Sequence, residues 1–158
     1  MRTLITGMSG TGKTSVVGEL HRRGFVAHDL DEGYTCVDPE DGRWHWRTAD
    51  VRRLLTDTDK QSVFIAGCSE EQVEFTWDLK VLLTAPEPVM LHRLATRAGN
   101  TFGQSSAQRA QVLADLANVE PVLRQSAHVI IETTLPLADV VDLILHAANE
   151  TWARIDGG

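Results

Sequence analysis

Short apolar runs alternate along the chain with longer stretches in which apolar residues return every three or four positions. Residues 3–6 read as a first strand, which Gly7 breaks. Val16, Val17 and Leu20 then share one face of a helix over 13–23, with Gly24 as its stop. Residues 25–29 predict a second strand. Residues 31–46 carry Gly33, Pro39, Gly42 and several charges, and predict a loop with room for one short helix. A helix is predicted over 48–55, a buried strand over 62–66 ended by Gly67, and another strand over 79–84. Beyond Pro86, the positions of Val89, Met90, Leu91 and Leu94 predict a helix over 86–97, followed by a loop over 98–103. Ser105 and Ser106 suit the cap of a long helix to Leu123, which Pro121 ends or bends. Residues 128–132 predict a last strand. Pro136 then opens a helix striped by Leu137, Val140, Val141, Ile144 and Leu145.

Strands that are continuously apolar and alternate with helices imply a parallel sheet covered on both faces, a three-layer α/β domain. The length of 158 residues suits one such domain, expected to span 1–158, and there is no internal repeat.

Charge and composition narrow the function. Fifteen Lys and Arg against 22 Asp and Glu leave a net charge of −7, which disfavours a general nucleic-acid-binding surface. No apolar run reaches the roughly 20 residues needed to cross a bilayer, and the first apolar stretch is too short for a signal peptide. Cys36 and Cys68 match no metal spacing and read as free thiols in a reducing cytoplasm.

Gly7-Met8-Ser9-Gly10-Thr11-Gly12-Lys13-Thr14 satisfies G-x-x-x-x-G-K-[ST] and lies between a predicted strand and a predicted helix. Its glycines let successive N–H groups turn inward around phosphate oxygens, and the following helix adds the positive end of its dipole. The nucleotide-binding expectation therefore covers Gly7, Ser9, Gly10, Thr11, Gly12, Lys13, Thr14 and Ser15, with Lys13 on the β- and γ-phosphates and Thr14 as a ligand of Mg²⁺.

The loop after the first strand, Asp29-Leu30-Asp31 after the second, the third strand ending in Gly67, and Ile130-Ile131-Glu132-Thr133-Thr134-Leu135-Pro136-Leu137 together resemble the small P-loop kinases: the shikimate, gluconate and nucleoside-monophosphate kinases and their relatives. The resemblance implies a P-loop NTPase fold with a five-stranded parallel sheet, a short lid (about 97–106) and an acceptor-binding segment (about 31–56). It assigns Asp29 to Mg²⁺ and Asp31 to the acceptor hydroxyl. It also makes Gly67 an acceptor contact, puts Arg93 and Arg97 on the phosphates, and puts Pro136 against the adenine. The apolar strand 63–67 ends without the acid that many P-loop enzymes carry, which weakens the GTPase and motor readings.

Gly42-Arg43-Trp44-His45-Trp46-Arg47 is the most individual stretch of the chain. Tryptophan provides a flat apolar wall and arginine a fork for carboxylate or phosphate. Trp46 and Arg47, ahead of Arg43, are the expected acceptor contacts; His28 and His45 read as packing or surface residues. Arg109 is a weaker phosphate candidate. The leading expectation is an ATP-dependent kinase acting on a small-molecule acceptor through a hydroxyl, or in a first variant through an acceptor phosphate as in a nucleotide kinase, with Lys13, Asp31 and Arg97 as the catalytic groups. It would use ATP and Mg²⁺ and work as a monomer or homodimer without nucleic acid or membrane. The alternative is a nucleotide-binding or slowly hydrolysing sensor or accessory protein.

Overall fold

The computed structural model describes residues 1–40, 42–58, 61–98 and 102–157. The elements run β1 (Arg2–Thr6), α1 (Lys13–Arg22), β2 (Val26–Asp29), β3 (Thr35–Val37), β4 (Trp44–Trp46), α2 (Thr48–Asp57), β5 (Val63–Ala66), a 3₁₀ turn (Glu70–Glu74), β6 (Leu79–Thr84), α3 (Glu87–Thr96), α4 (Ser106–Asn118), α5 (Glu120–Ser126), β7 (Val129–Glu132) and α6 (Leu137–Asp156).

The five strands expected from apolar runs form one parallel sheet in the order β2-β5-β1-β6-β7. Period-two alternation sorts their side chains between two faces. Ile5, Phe64, Ala66, Val81 and Leu83 pack under α1 and α6, against Val16, Val17, Leu20, Val140 and Ile144. On the other face, Leu4, Val63 and Ile65 pack under α2 with Trp46 and Trp77, while Leu82 lies under α3, α4 and α5. The result is the expected three-layer α/β architecture. Among the described residues, no helix is long and apolar enough to cross a membrane.

Two expectations change. The described residues of 31–46 contain no helix: β3 and β4 pair as an antiparallel hairpin, with Thr35 opposite Trp46 and Val37 opposite Trp44. The turn is closed by Asp38, whose N–H donates to Arg43 O at 2.9 Å and whose carbonyl accepts from Gly42 N at 2.8 Å. β-branched and aromatic residues on both sides of a turn rich in Pro and Gly favour strands over a helix. The expected long helix breaks at Val119, so that Pro121 falls in the first turn of α5, where its missing N–H costs no hydrogen bond. Ser105 caps α4 with a reciprocal bond to Gln108. The expected loop at 98–103 and the lid at 97–106 include residues 99–101, which lie outside the described residues. Cys36 and Cys68 are free thiols.

Candidate functional site

The parallel sheet delivers the carboxyl ends of β1, β2 and β5 to one edge, the usual crevice of an open α/β sheet. After β1 the chain makes the loop Gly7–Lys13 and enters α1. A β-carbon on Gly7 would lie 2.4 Å from the Leu83 carbonyl oxygen, and one on Gly10 2.9 Å from that of Met90, so neither position has room for a side chain. Thr11 fixes the curve, donating from its backbone N–H at 3.2 Å and its hydroxyl at 2.8 Å to Met8 O. α1 starts at Lys13 with Gly12 as N-cap and no capping side chain. Its first-turn N–H groups, which have no intrahelical acceptor, therefore remain available to an anion. Lys13, largely buried, donates through Nζ to Gly7 O at 2.8 Å and Met8 O at 3.3 Å. Ser9 is half-buried on the loop, and Ser15 is exposed beside Thr14 in the first turn of α1. These features fit a polyphosphate.

β2 ends at Asp29. The Thr14 hydroxyl donates to Asp29 Oδ2 at 2.7 Å, and the Asp31 N–H donates to Asp29 Oδ1 at 3.1 Å. A hydroxyl and a carboxylate held together beside a phosphate loop suit Mg²⁺, which takes few protein oxygens and fills its shell with phosphate and water. Among the described residues, no group of three or more His, Cys, Asp or Glu side chains could hold a metal by itself.

The Asp31 carboxylate lies 3.9 Å from Lys13 Nζ. Its side chain is 47% exposed to the crevice, yet protein surrounds its other sides. That desolvation pushes its pKa up; Lys13 opposes the rise, the charge of Asp29 adds to it, and the N–H groups of Cys68 and Trp46 favour the ionised form. The Trp46 indole Nε1 is itself buried and makes no hydrogen bond of normal geometry.

Arg93, on α3, arches over the loop. It donates through Nη1 to Gly10 O at 3.3 Å and Thr133 Oγ1 at 2.8 Å, and through Nη2 to Thr133 O at 2.6 Å. Thr133 is tied to β6 by its N–H, at 2.8 Å from Thr84 O. Arg93 thus joins the phosphate loop to the segment before α6, a linkage the sequence did not signal. Arg97 donates to Phe102 O at 2.8 Å, and burial lowers its pKa from the usual arginine value. Pro136 is exposed as the N-cap of α6, and Arg109 is half-buried on α4.

The hairpin forms the far wall. Trp46 is 3% exposed and packs on Gly67, where a β-carbon would come within 2.8 Å of Trp46 Cζ2. Gly67 is therefore the space that lets the indole reach the end of β5. Glu71, which sequence reasoning missed, anchors β4: it accepts from Trp46 N at 3.1 Å, pairs with His45 Nδ1 at 2.5 Å and accepts from Ser69. Burial alone would raise the Glu71 pKa, but the Ser69, His45 and Trp46 contacts outweigh it and lower it. Arg47 donates to Gly33 O and pairs with Asp50 at 2.7 Å. His28 is half-buried edge-on to Tyr34, and burial lowers its pKa. Two hollows lined by Phe25, Phe64 and Trp152, and by Asp78, His128 and Ile155, lie at the opposite edge, where strands begin. They share no residue with this constellation.

Residues 4–114 match the family described as AAA domain. No curated protein matches the chain. Shikimate kinase from Acinetobacter baumannii in complex with shikimate is 20% identical, with a TM-score of 0.65 over 94% of this chain and 93% of that one. A gluconokinase from Sinorhizobium meliloti 1021 is 22% identical, with a TM-score of 0.57 over 98% and 92%. Deoxyadenosine kinase from M. mycoides with bound dATP is 12% identical, with a TM-score of 0.65 over 94% and 99%. At these identities the likeness is one of fold.

Proposed function

The chain belongs to the AAA domain family, and from that premise we propose that it is a small-molecule kinase, transferring the γ-phosphate of ATP to an acceptor hydroxyl. The observation that carries the reading is the meeting of Lys13 and Asp31, 3.9 Å apart, at the junction of phosphate loop and acceptor wall. Similar folds in kinases of shikimate, gluconate and deoxyadenosine support it.

In this reading the loop N–H groups and Lys13 bind the triphosphate, with Ser9, Thr11 and Ser15 completing the cradle. Arg97 enters from the lid segment to stabilise charge on the phosphoryl oxygens, and Arg93 holds the loop beneath it. Pro136 offers an apolar face to the base. Thr14 and Asp29 hold Mg²⁺, which, when bound, offsets the charge of the β- and γ-phosphates. Asp31 orients the acceptor hydroxyl, with Gly67, Trp46 and Arg47 around it. The acceptor oxygen bonds to the γ-phosphorus, the bond from that phosphorus to the bridging oxygen breaks, and ADP leaves with the electron pair. The hydroxyl proton passes to the Asp31 carboxylate and then to water. The elevated pKa of Asp31 suits a group that receives a proton. One domain spans the chain in this reading, works in the cytoplasm, and needs neither nucleic acid nor membrane.

The test follows ADP release from Mg·ATP with and without a panel of sugars, acids, nucleosides and nucleotides. Acceptor-dependent release that disappears in Lys13→Ala and Asp31→Asn supports the kinase. Equal release with every acceptor, indifferent to Asp31→Asn, points to the nucleotide-binding sensor or slow ATPase.

A further inference from the structure

From residue 31 to residue 57, together with Glu70, Glu71 and Glu74 of the 3₁₀ turn, the chain carries ten acids and four arginines. The excess of six nearly equals the net charge of −7 of the whole protein. Resting on the kinase reading, we infer that the acceptor is a ring-bearing alcohol without an acid group, neutral or cationic, selected by the hairpin wall of β3 and β4.

The placement of the arginines carries the argument. An acid-bearing acceptor needs a cation facing it, and among the described arginines of this segment Arg43, Arg47 and Arg52 each have a carboxylate within 4 Å. Arg43 lies 3.8 Å from Glu70, Arg47 2.7 Å from Asp50, and Arg52 3.9 Å from Glu74. Arg52 also sits over the Phe75 ring at 5.7 Å. Arg53 is exposed on α2, two residues from both Val51 and Leu55, which α2 buries, and so points away from the sheet. His45 is paired with Glu71. Exposed pairs of this kind are weak, so an arginine can release its partner. Doing so leaves the freed carboxylate beside the incoming anion, and the local field stays negative. Lys13, a further cation at the junction, is bonded to the phosphate loop.

The aromatic residues select in the same direction. Trp44 is 67% exposed and, two residues from Trp46 on β4, shares its face of the hairpin. An indole face carries negative charge density, which attracts cations and the CH-rich face of a ring and repels anions. Next to it, the buried Trp46 Nε1 places a donor beside the Asp31 acceptor. Donor and acceptor side by side match a hydroxyl, which both gives and takes a hydrogen bond; a carboxylate would meet Asp31 as a second anion. Transfer to such an alcohol keeps the bond changes and proton path given above.

Two measurements test this. The first is binding of shikimate and gluconate to the Mg·ADP-loaded protein, read from the amide resonances of Gly67 and Cys68, in wild type and in the Asp50→Asn/Glu70→Gln double variant. Neither carboxylate belongs to the proposed machinery. Wild type should shift the resonances only weakly, at high acid concentration, and the double variant should bind both acids on the order of tenfold more tightly. Wild type binding the acids as well as the double variant overturns the inference, whether or not turnover is found. The second is ADP release with sugars, nucleosides and amino sugars beside shikimate, gluconate and a nucleoside monophosphate. Release with a member of the first group and none of the second supports the inference. Release with an acid overturns it and leaves the kinase standing, whereas release with none in either group removes the kinase reading and the inference with it.

Discussion

The phosphate loop and the hairpin wall face each other across Lys13 and Asp31, and they are built from different parts of the polypeptide. The loop is built from backbone: carbonyls of Leu83 and Met90 crowd Gly7 and Gly10, and the first-turn N–H groups of α1 have no intrahelical acceptor. The hairpin works through side chains from distant positions, with Trp46 on Gly67, His45 on Glu71 and Arg43 beside Glu70. A backbone site tolerates little variation in sequence, so it carries a motif. A side-chain wall can be rebuilt residue by residue, and in the proposed kinase this is where a common fold would acquire its own acceptor.

The comparison can be broken most severely at Lys13. Lys13→Ala should reduce ATP-dependent turnover by roughly a hundredfold or more while leaving the thermal midpoint close to wild type. Steady-state kinetics beside a melting curve check both halves. Gly67→Ala is the counterpart on the other wall. Its new β-carbon meets the rigid edge of the Trp46 indole at 2.8 Å, on a backbone with φ +155°. We expect a loss of about 1–3 kcal/mol in stability and loss of acceptor-dependent turnover, with ATP affinity preserved. Calorimetric titration with ATP decides the point, since a parallel loss of nucleotide affinity would mean that the two walls are not separable.

Glu71→Gln should have a smaller effect, about 1–2 kcal/mol near neutral pH, seen in chemical denaturation. The Glu71 pKa is lowered in the folded protein, so its contribution is present above the ordinary carboxylate value of 4.5 and fades as pH falls through the lowered one. The variant should therefore converge with wild type in acid. Glu19→Gln, on α1 away from both walls, should matter least. Hydrogen bonds from Arg22 and Arg23 bring the Glu19 pKa down to about 2, so its part is complete above 4.5 and is lost as pH falls toward 2. ATP binding and turnover by Glu19→Gln should equal wild type at neutral pH.

The same contrast accounts for what could be read from the sequence. The five sheet strands, the enclosing helices and the phosphate loop follow local rules: continuous apolar runs, helical periodicity, and a spacing fixed by phosphate geometry. The placement of Asp29 and Asp31 beside the phosphate loop was legible because they follow a strand in that setting. The hairpin was not, because strands of three residues carry almost no periodic signal. A turn from Asp38 to Gly42 between Thr-Cys-Val and Trp-His-Trp was the available clue. Glu71 was missed because its partners on the hairpin lie 25 and 26 residues away. The resemblance puts Arg93 on the phosphates; its bonds to Thr133 span 40 residues and need the fold.

The central claim is that the two walls bring a phosphoryl donor and an alcohol together at Lys13 and Asp31. Phosphorus NMR of Mg·ATP incubated with the protein and the alcohol panel tests it most directly, because it distinguishes transfer from hydrolysis by product. The account predicts a phosphomonoester resonance growing one for one with ADP in wild type and absent in Asp31→Asn. Inorganic phosphate as the sole product, formed at one rate with every alcohol and unchanged in Asp31→Asn, would contradict it.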